Sequence, residues 1–548
     1  MSAALLLSIA FPGLVALGLL HPATRQGVAR MLPFVPWPAL ALALFGLEVE
    51  AHYPRLLLGA VLGLDETARV FMLFTAAVWS AVGFHLRDAS LDPARERDRR
   101  FLLCYLLAMA GNLGVIVAFD PPSFYLCFAV LSLSAWGLIV TDTSSDSRRA
   151  GRVYLILALL GEVLILIGFI ALSAGQYGLA LALLLYVGLG IKHGILPLHL
   201  WLPLAHGISP APASALLSGV LVKAGIIGWL RFLPETGALD SSGVTVIAFG
   251  LAAAILGALV GVLQVKPKML LAYSTISQMG ILTVGFGMAL TSVELWVAIV
   301  PALTLFACHH ALVKAALFLG VGVERSRRGG GLVLPLFGLL GLSLAAAPYT
   351  GGALVKLWLS QFTAALTPGT AWMLDTLLPL TSLTTTVLMF RFMWLAWAPS
   401  TDRPGVGRAR ATPYPFLVLS GLALVGPWLL FWASEPAAGD VIGGWYAFWK
   451  TLWPVALGLL LALAAARFGR QMPWVLPPGD VIVPLEKGVL ALWRRLPQTA
   501  PTLPRPAFRY IPPWRQWEAW LRRFPVIGVT FMACLLIFAA VGGVLVGG

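Results

Sequence analysis

Apolar runs of about 20 residues recur from one end of the chain to the other, each long enough to cross a bilayer. Backbone polar groups inside such runs must be satisfied within the segment, which makes each run a helix. Composition agrees: 59% of the 548 residues are hydrophobic and 11% are charged, against roughly 25% charged in soluble domains. A secreted protein, a soluble enzyme and a nucleic-acid binder are excluded. The formal net charge of +14 therefore reads as Lys and Arg in cytoplasmic loops, not as a nucleic-acid footprint. The first run, Ala3 to Leu20, lacks a basic n-region and reads as a span rather than a cleaved signal peptide.

The runs predict an all-α polytopic membrane protein of about sixteen spans. They lie near 3–20, 32–48, 67–86, 101–119, 123–141, 153–173, 178–202, 211–231, 243–264, 269–288, 293–321, 333–366, 371–396, 413–434, 451–466 and 525–547. The seventh holds Gly-Ile-Leu-Pro-Leu-His ending at His199, and the twelfth, too long for one plain helix, holds Ala-Pro-Tyr-Thr-Gly-Gly ending at Gly352. Pro197, Pro348, Gly351 and Gly352 should break these two helices, since proline removes a backbone donor and glycine loosens the ladder. The broken spans are five apart, so the units that carry them have opposite topology, as in inverted repeats. The expected organisation is N-terminal helices over 1–100, a first repeat over 101–231, a second over 243–396, and C-terminal helices over 413–548.

Basic residues alternate between loops. One side holds Arg25 and Arg30, then Arg87, Arg95, Arg97, Arg99 and Arg100, then Arg148, Arg149 and Arg152. The same side continues with Lys266 and Lys268, Arg325, Arg327 and Arg328, then Arg403, Arg408 and Arg410. The other holds little beyond Arg55, Arg231 and Lys450. The rich side is expected in the cytoplasm, which puts both termini on the periplasmic side of a prokaryotic inner membrane. Residues 467–524 interleave Arg494, Arg495, Arg505, Arg509, Arg515, Arg522 and Arg523 with Trp493, Tyr510, Trp514, Trp517 and Trp520. This segment reads either as an interfacial element at headgroup level or as a docking arm for a partner subunit.

An ionisable group inside a membrane is costly and marks a functional candidate. Lys192, Lys223, Lys314 and Lys356 fall within spans or beside a break, and Glu162 lies in the middle of the sixth span. His309 and His310 precede Lys314 by five and four residues, so at least one shares its helix face. Snorkelling to the headgroups and plain core packing are the bland alternatives for single residues. Together the set points to a proton or cation path, because buried lysines can exchange protons. Cys104, Cys127, Cys308 and Cys534 all lie in apolar runs without a CxxC pair and read as packing residues. No metal, nucleotide, flavin or quinone-headgroup motif is present, so no cofactor is expected.

The stretches Ile-Lys-His-Gly-Ile-Leu-Pro-Leu-His-Leu-Trp-Leu-Pro-Leu-Ala-His (191–206) and Ser-Pro-Ala-Pro-Ala-Ser-Ala-Leu-Leu-Ser-Gly-Val-Leu-Val-Lys-Ala-Gly (209–225) resemble the antiporter-like subunits of respiratory complex I and of Mrp-type cation/proton antiporters. So do 268–280, 310–320 and 348–356, in the right order, and the likeness covers roughly 100–400. It implies that Lys192 precedes the seventh-helix break and that Lys223 is the connecting lysine. Lys314, with His309 or His310, would be the central relay, and Lys356 the terminal exchanging group. With Glu162 and His199 these complete the candidate proton path. Two departures stand out. Ala129 occupies the place of the family's fifth-helix glutamate, and Val265-Lys-Pro-Lys268 stands where the family often has Asp-Ile-Lys. Glu162 is expected to substitute for the missing acid by pairing with Lys192 or Lys223.

The expected function is a proton- or cation-translocating subunit of a larger complex, with other subunits, lipid and protons or sodium ions as partners and no nucleic acid. An ion-driven inorganic-carbon uptake complex, a transport-inactive anchor and an independent ion-coupled solute carrier are the alternatives. A single cysteine placed at Gln516 should react with a membrane-impermeant thiol reagent from the cytoplasmic side; labelling from the outside alone overturns the orientation.

Overall fold

The computed structural model describes residues 2–89, 91–141, 144–234, 242–325, 330–397, 412–434 and 444–468, together with Gly488. The aromatic and basic segment 467–524 lies outside the described residues apart from its first two positions and Gly488. So do the expected last span at 525–547, Cys534, and the basic residues Arg327, Arg328, Arg403, Arg408 and Arg410.

The chain opens with α1 (Ser2–Leu17), α2 (Arg25–Met31) and α3 (Trp37–Phe45). A two-stranded antiparallel hairpin follows, β1 (Val49–Tyr53) and β2 (Ala60–Leu64), in the register Val49 to Leu64 and Tyr53 to Ala60. Next come α4 (Glu66–Asp88), α5 (Glu96–Val117), α6 (Pro121–Ile139), α7 (Ser145–Ser173) and α8 (Leu179–His193). After the first break lie α9 (Trp201–Ile208), α10 (Ala211–Leu216) and α11 (Lys223–Phe232). Then follow α12 (Gly243–Val262), α13 (Pro267–Ala289), α14 (Val293–Arg325), α15 (Val333–Leu344) and α16 (Gly351–Gln361). The described helices end with α17 (Pro368–Trp397), α18 (Tyr414–Ser434) and α19 (Trp445–Phe468).

Thirteen segments among the described residues are long and apolar enough to cross a membrane. The expected span at 3–20 is a helix of 16 residues, about 24 Å at 1.5 Å per residue, short of a 30 Å hydrocarbon core. The expected twelfth span is two short helices, α15 and α16, separated by Ala345 to Thr350. The hairpin corrects the all-α expectation. It is tied down by local chemistry: Val61 N–H donates to Asp120 Oδ2 at 2.7 Å, and Phe119 N–H to the Val61 carbonyl at 2.8 Å. Asp120 Oδ1 also accepts from Ser123 N–H at 2.9 Å, so one carboxylate caps α6 and closes the hairpin edge.

Burial grades from rim to centre. On α7, Ile156, Val163 and Ile170, seven residues apart, are exposed apolar side chains suited to lipid, while Tyr154, Glu162 and Ile165 are buried on the other face. By contrast α13 is buried along its whole length, packed by α9, α12, α14 and α17. Close approach of α12 to α13 depends on residues without side chains. A Cβ on Gly280 would stand 2.5 Å from Ala254 N and 2.6 Å from the Gly250 carbonyl oxygen, so the two backbones touch there. Replacing Gly280 by Leu should therefore separate the helices and cost more than the roughly 1–3 kcal/mol of ordinary overpacking. Thermal unfolding of the detergent-solubilised chain should show a large loss of melting temperature, and an unchanged melting curve would contradict this packing.

Candidate functional site

Lys192, Lys223 and Lys314 are buried and Lys356 is half-buried, and all but Lys314 sit beside an interruption of the helix. Lys192 is the second-last residue of α8, which stops at Gly194 in the left-handed conformation, φ 94°. The chain then turns through the break at Pro197 and resumes in a 3-10 turn, Leu198–Leu200. Lys192 Nζ donates to the Tyr154 hydroxyl at 2.8 Å and to Ser132 Oγ at 3.1 Å, and Tyr154 donates onward to the Ser132 carbonyl at 2.8 Å. Ser132 stands one helical turn beyond Ala129 on α6, so that helix offers the lysine a hydroxyl and not a carboxylate. Glu162 is buried on α7 and interacts with both Ser132 and the Lys192 charge. Among the described residues no direct ion pair joins the two; Ser132 lies beside both, and Glu162 Oε1 is buried without a hydrogen-bond partner.

Lys223 is held differently. The chain between α10 and α11, Leu217–Leu221, is a π-helix. Val222 N–H there bonds the Leu217 carbonyl at 3.3 Å. The Ser218 carbonyl, which an α-helix would spend on that N–H, is left to accept from Lys223 Nζ at 2.8 Å. The same nitrogen lies 2.5 Å from His310 Nδ1. One nitrogen must donate to the other, either the ammonium to a neutral imidazole or an imidazole N–H to a neutral amine.

Between Lys223 and Lys314 lies a polar cluster rather than an unbroken chain of hydrogen bonds, since Lys223 takes the Ser218 carbonyl and the Ser218 hydroxyl turns to Thr275. Ser218 Oγ and Thr275 Oγ1 are 2.6 Å apart, and Thr275 donates to the Leu271 carbonyl at 3.0 Å. That carbonyl also accepts from Lys314 Nζ at 3.0 Å. His310 faces Lys223, while His309 turns away and contacts Ser343 Oγ at 2.8 Å. The histidine doublet thus serves both sides of α14: the charges of Lys223, Lys314 and His193 act on His310, and that of Lys356 acts on His309.

Lys356 lies on α16, directly after the second break. Thr350 caps that helix, accepting from Ala353 N–H at 3.3 Å. A Cβ on Gly352 would fall 1.7 Å from the Ser343 carbonyl oxygen, and one on Gly351 3.0 Å from the His309 ring. These glycines let the half-helices meet against His309. Lys356 Nζ donates to Ser382 Oγ at 2.8 Å and Thr381 Oγ1 at 3.2 Å, both on α17.

The structure places the predicted residues in three polar groups: Lys192 with Ser132 and Tyr154, near Glu162; Lys223 with His310, and Lys314 on the Leu271 carbonyl; and Lys356 with the hydroxyls of α17, His309 lying beside the start of α16. His199, on the 3-10 turn, lies edge-on to Tyr273 with centroids 6.4 Å apart. Sequence reasoning missed His193, whose Nε2 meets the Met279 carbonyl at 3.1 Å. It also missed His206, fully buried and stacked on Phe318 at 4.6 Å. The hydroxyls of Ser132, Tyr154, Ser218, Thr275, Thr381 and Ser382 were unassigned too. Their only sequence signal is a polar residue in an apolar span, which Thr and Ser give too often to be diagnostic. Of the described cysteines, Cys104 and Cys308 are buried and Cys127 is half-buried, all without a disulfide.

Residues 118–384 match the family described as NADH:quinone oxidoreductase/Mrp antiporter, TM. The chain is 31% identical over 369 residues to an NAD(P)H-quinone oxidoreductase chain 4 of Thermosynechococcus vestitus, covering 59% of this chain and 67% of that one. The chain belongs to this family of membrane proteins. It is also 34% identical over 244 residues to hydrogenase-4 component B of Escherichia coli, spanning 40% of this chain but about a third, 36%, of that relative's length. A structure of the Mrp complex from Dietzia sp. superposes with a TM-score of 0.72 at 21% identity, over 97% of this chain and 63% of the matched one, which establishes the shared fold. The chain is accordingly a multi-pass helical membrane protein.

Tyr154 supports both Lys192 and the Ser132 carbonyl, so Tyr154→Phe leaves buried groups short of a partner. It should destabilise the solubilised chain by about 1–3 kcal/mol, and Ser132→Ala by less. Equal melting temperatures for wild type and Tyr154→Phe would show that the hydroxyl holds neither group.

Proposed function

We propose that this chain is the proton- or cation-translocating subunit of a larger ion-pumping or ion-driven membrane complex. One relative is named as a hydrogenase component, another as a quinone oxidoreductase chain, and the similar fold comes from an Mrp complex; we read this chain likewise as one part of an assembly. The observation that carries the reading is the 2.5 Å contact between Lys223 and His310, both buried, with Lys314 buried one helical turn beyond His310 on the same helix. A buried lysine in contact with an imidazole is a poor anchor but a good proton-exchanging pair, since either base can hold the proton.

The roles follow the family pattern. Lys192 takes the place before the first break, Lys223 connects, Lys314 with His310 is central, and Lys356 ends the file. Residues 101–231 and 243–396 form two inverted five-helix units, each with one interrupted helix. The basic loops face the cytoplasm of a prokaryotic cell, so the hairpin and Lys450 face outward. The parent assembly would supply the energy, since every group in the file is an acid, base or hydroxyl.

Glu162 supplies the acid that α6 lacks. Its link to Lys192 through Ser132 allows the carboxylate to favour the charged lysine without a rigid ion pair, and a charge that can be withdrawn is what a switch requires. A second reading, a subunit that has lost transport, draws on the same fact: Lys192 has a neutral first partner from α6. Ion flux separates the two. In membrane vesicles holding the assembled complex, Lys223→Ala should lower flux on the order of a hundredfold. Glu162→Gln should impair it about as severely as Lys192→Ala. Undiminished flux in Lys223→Ala, with normal assembly, would leave only the anchor.

A further inference from the structure

We propose that Lys450 and Asp375 form the outer vestibule of the ion path, a charged mouth through which Lys356 exchanges its proton with the outside. The inference rests on the functional reading above and extends it to α19, a helix beyond the family match at 118–384.

Lys356 does not end against packed side chains. It lines a cavity of about 50 Å³ together with Asp375, Ser382, Ser360 and Lys450. That volume holds on the order of three waters. The cavity is reached from the file by Ser382, which accepts from Lys356 Nζ at 2.8 Å. Its far side is Ser360, one turn after Lys356 on α16, which accepts from Lys450 Nζ at 3.2 Å. Lys450 also stands over the Tyr446 ring, 5.8 Å from its centroid, so the ammonium is held at the mouth on two sides. Asp375 is exposed on α17. Lys356, the Ser382 and Ser360 hydroxyls and the exposed Asp375 thus line one cavity between the last lysine of the file and the surface.

The remaining wall is apolar, including Val284, Leu357 and Leu378. Charge is poorly screened in such a space. Among the described residues, the charged groups that line it are Lys356, Lys450 and Asp375, and His309, on α14 packed against α16, is the further titratable group that interacts with Lys356 from behind the cavity. Lys450 and Asp375 act in opposite senses. Lys450 repels a proton held on Lys356 and favours its release; Asp375 attracts it and offers the first acceptor outside. Lys450 is a positioning residue here, acting through the field and through Ser360.

The test uses the full chain in its assembled complex, in vesicles whose outer face meets the buffer, with flux measured against outer pH. Lys450→Gln removes the repulsion, so Lys356 gives up its proton only at higher outer pH, and the profile should move up by on the order of one unit. Asp375→Asn should move it down. Lys450→Arg, which keeps the charge, should restore the wild-type profile. A merely structural role would lower flux without opposite shifts. Unchanged profiles in Lys450→Gln and Asp375→Asn, or shifts in the same direction, overturn the vestibule. Lys223→Ala run in parallel tells the two failures apart. If it abolishes flux while those profiles stay put, only the vestibule falls. If it transports normally, the functional reading falls and the vestibule with it.

Discussion

An ammonium group inside a helical membrane protein must be given oxygen or nitrogen partners, because the hydrocarbon around the body offers none. Four lysines impose that demand here; local irregularities of the chain lie beside three of them, and a neighbouring helix answers the fourth. The π-helix before Lys223 frees one carbonyl for it. Lys192 sits where α8 stops, under a tyrosine and a serine from two other helices. Lys314 takes a carbonyl that Thr275 already uses. Lys356 begins beyond a second break and finds two hydroxyls on α17. A regular helix would have spent the Ser218 carbonyl on its own backbone.

Meeting that demand requires helices to come closer than ordinary side chains permit. Without water to drive apolar surfaces together, packing inside a bilayer relies on small residues and interhelical hydrogen bonds. The Gly250 and Gly280 contact lets α12 lie against α13, the helix that contributes Thr275 and the Leu271 carbonyl. Gly351 and Gly352 do the same for α16 against His309 and the end of α15. Peripheral helices show the converse, with isoleucine, valine and leucine turned outward. At one end, the Asp120 carboxylate joins hairpin and helix where the chain leaves the apolar layer.

The departure at Ala129 gains its meaning from this arrangement. A carboxylate one turn from Ser132 would bind Lys192 directly. With alanine at 129, the nearest group that α6 offers Lys192 is the Ser132 hydroxyl, and the acid that acts on it lies on the neighbouring helix. Lys192 and Glu162 then influence each other across a serine. That is a weaker and more adjustable coupling than a buried ion pair, whose desolvation cost often offsets its attraction.

Much of this was legible in the chain before any coordinates. Length and repetition of the apolar runs dictated the membrane and the helices, since a bilayer leaves the backbone no other partner. Proline and glycine at 197, 348, 351 and 352 marked both interruptions, and the rarity of charge made each lysine conspicuous. The hairpin was not legible, because five-residue strands in a loop between spans look like any polar connection. Nor was the division of labour between His309 and His310, adjacent in sequence yet committed to different lysines. Hydroxyl partners stayed hidden for the same reason: serine and threonine are common in helices, and only packing says which of them meets a lysine. Sequence by itself determined which groups lie within apolar spans, because that follows from the hydrophobic surroundings along one segment. Tertiary structure alone decided what each group touches, because every decisive contact joins residues on different helices, and their distance depends on how those helices cross.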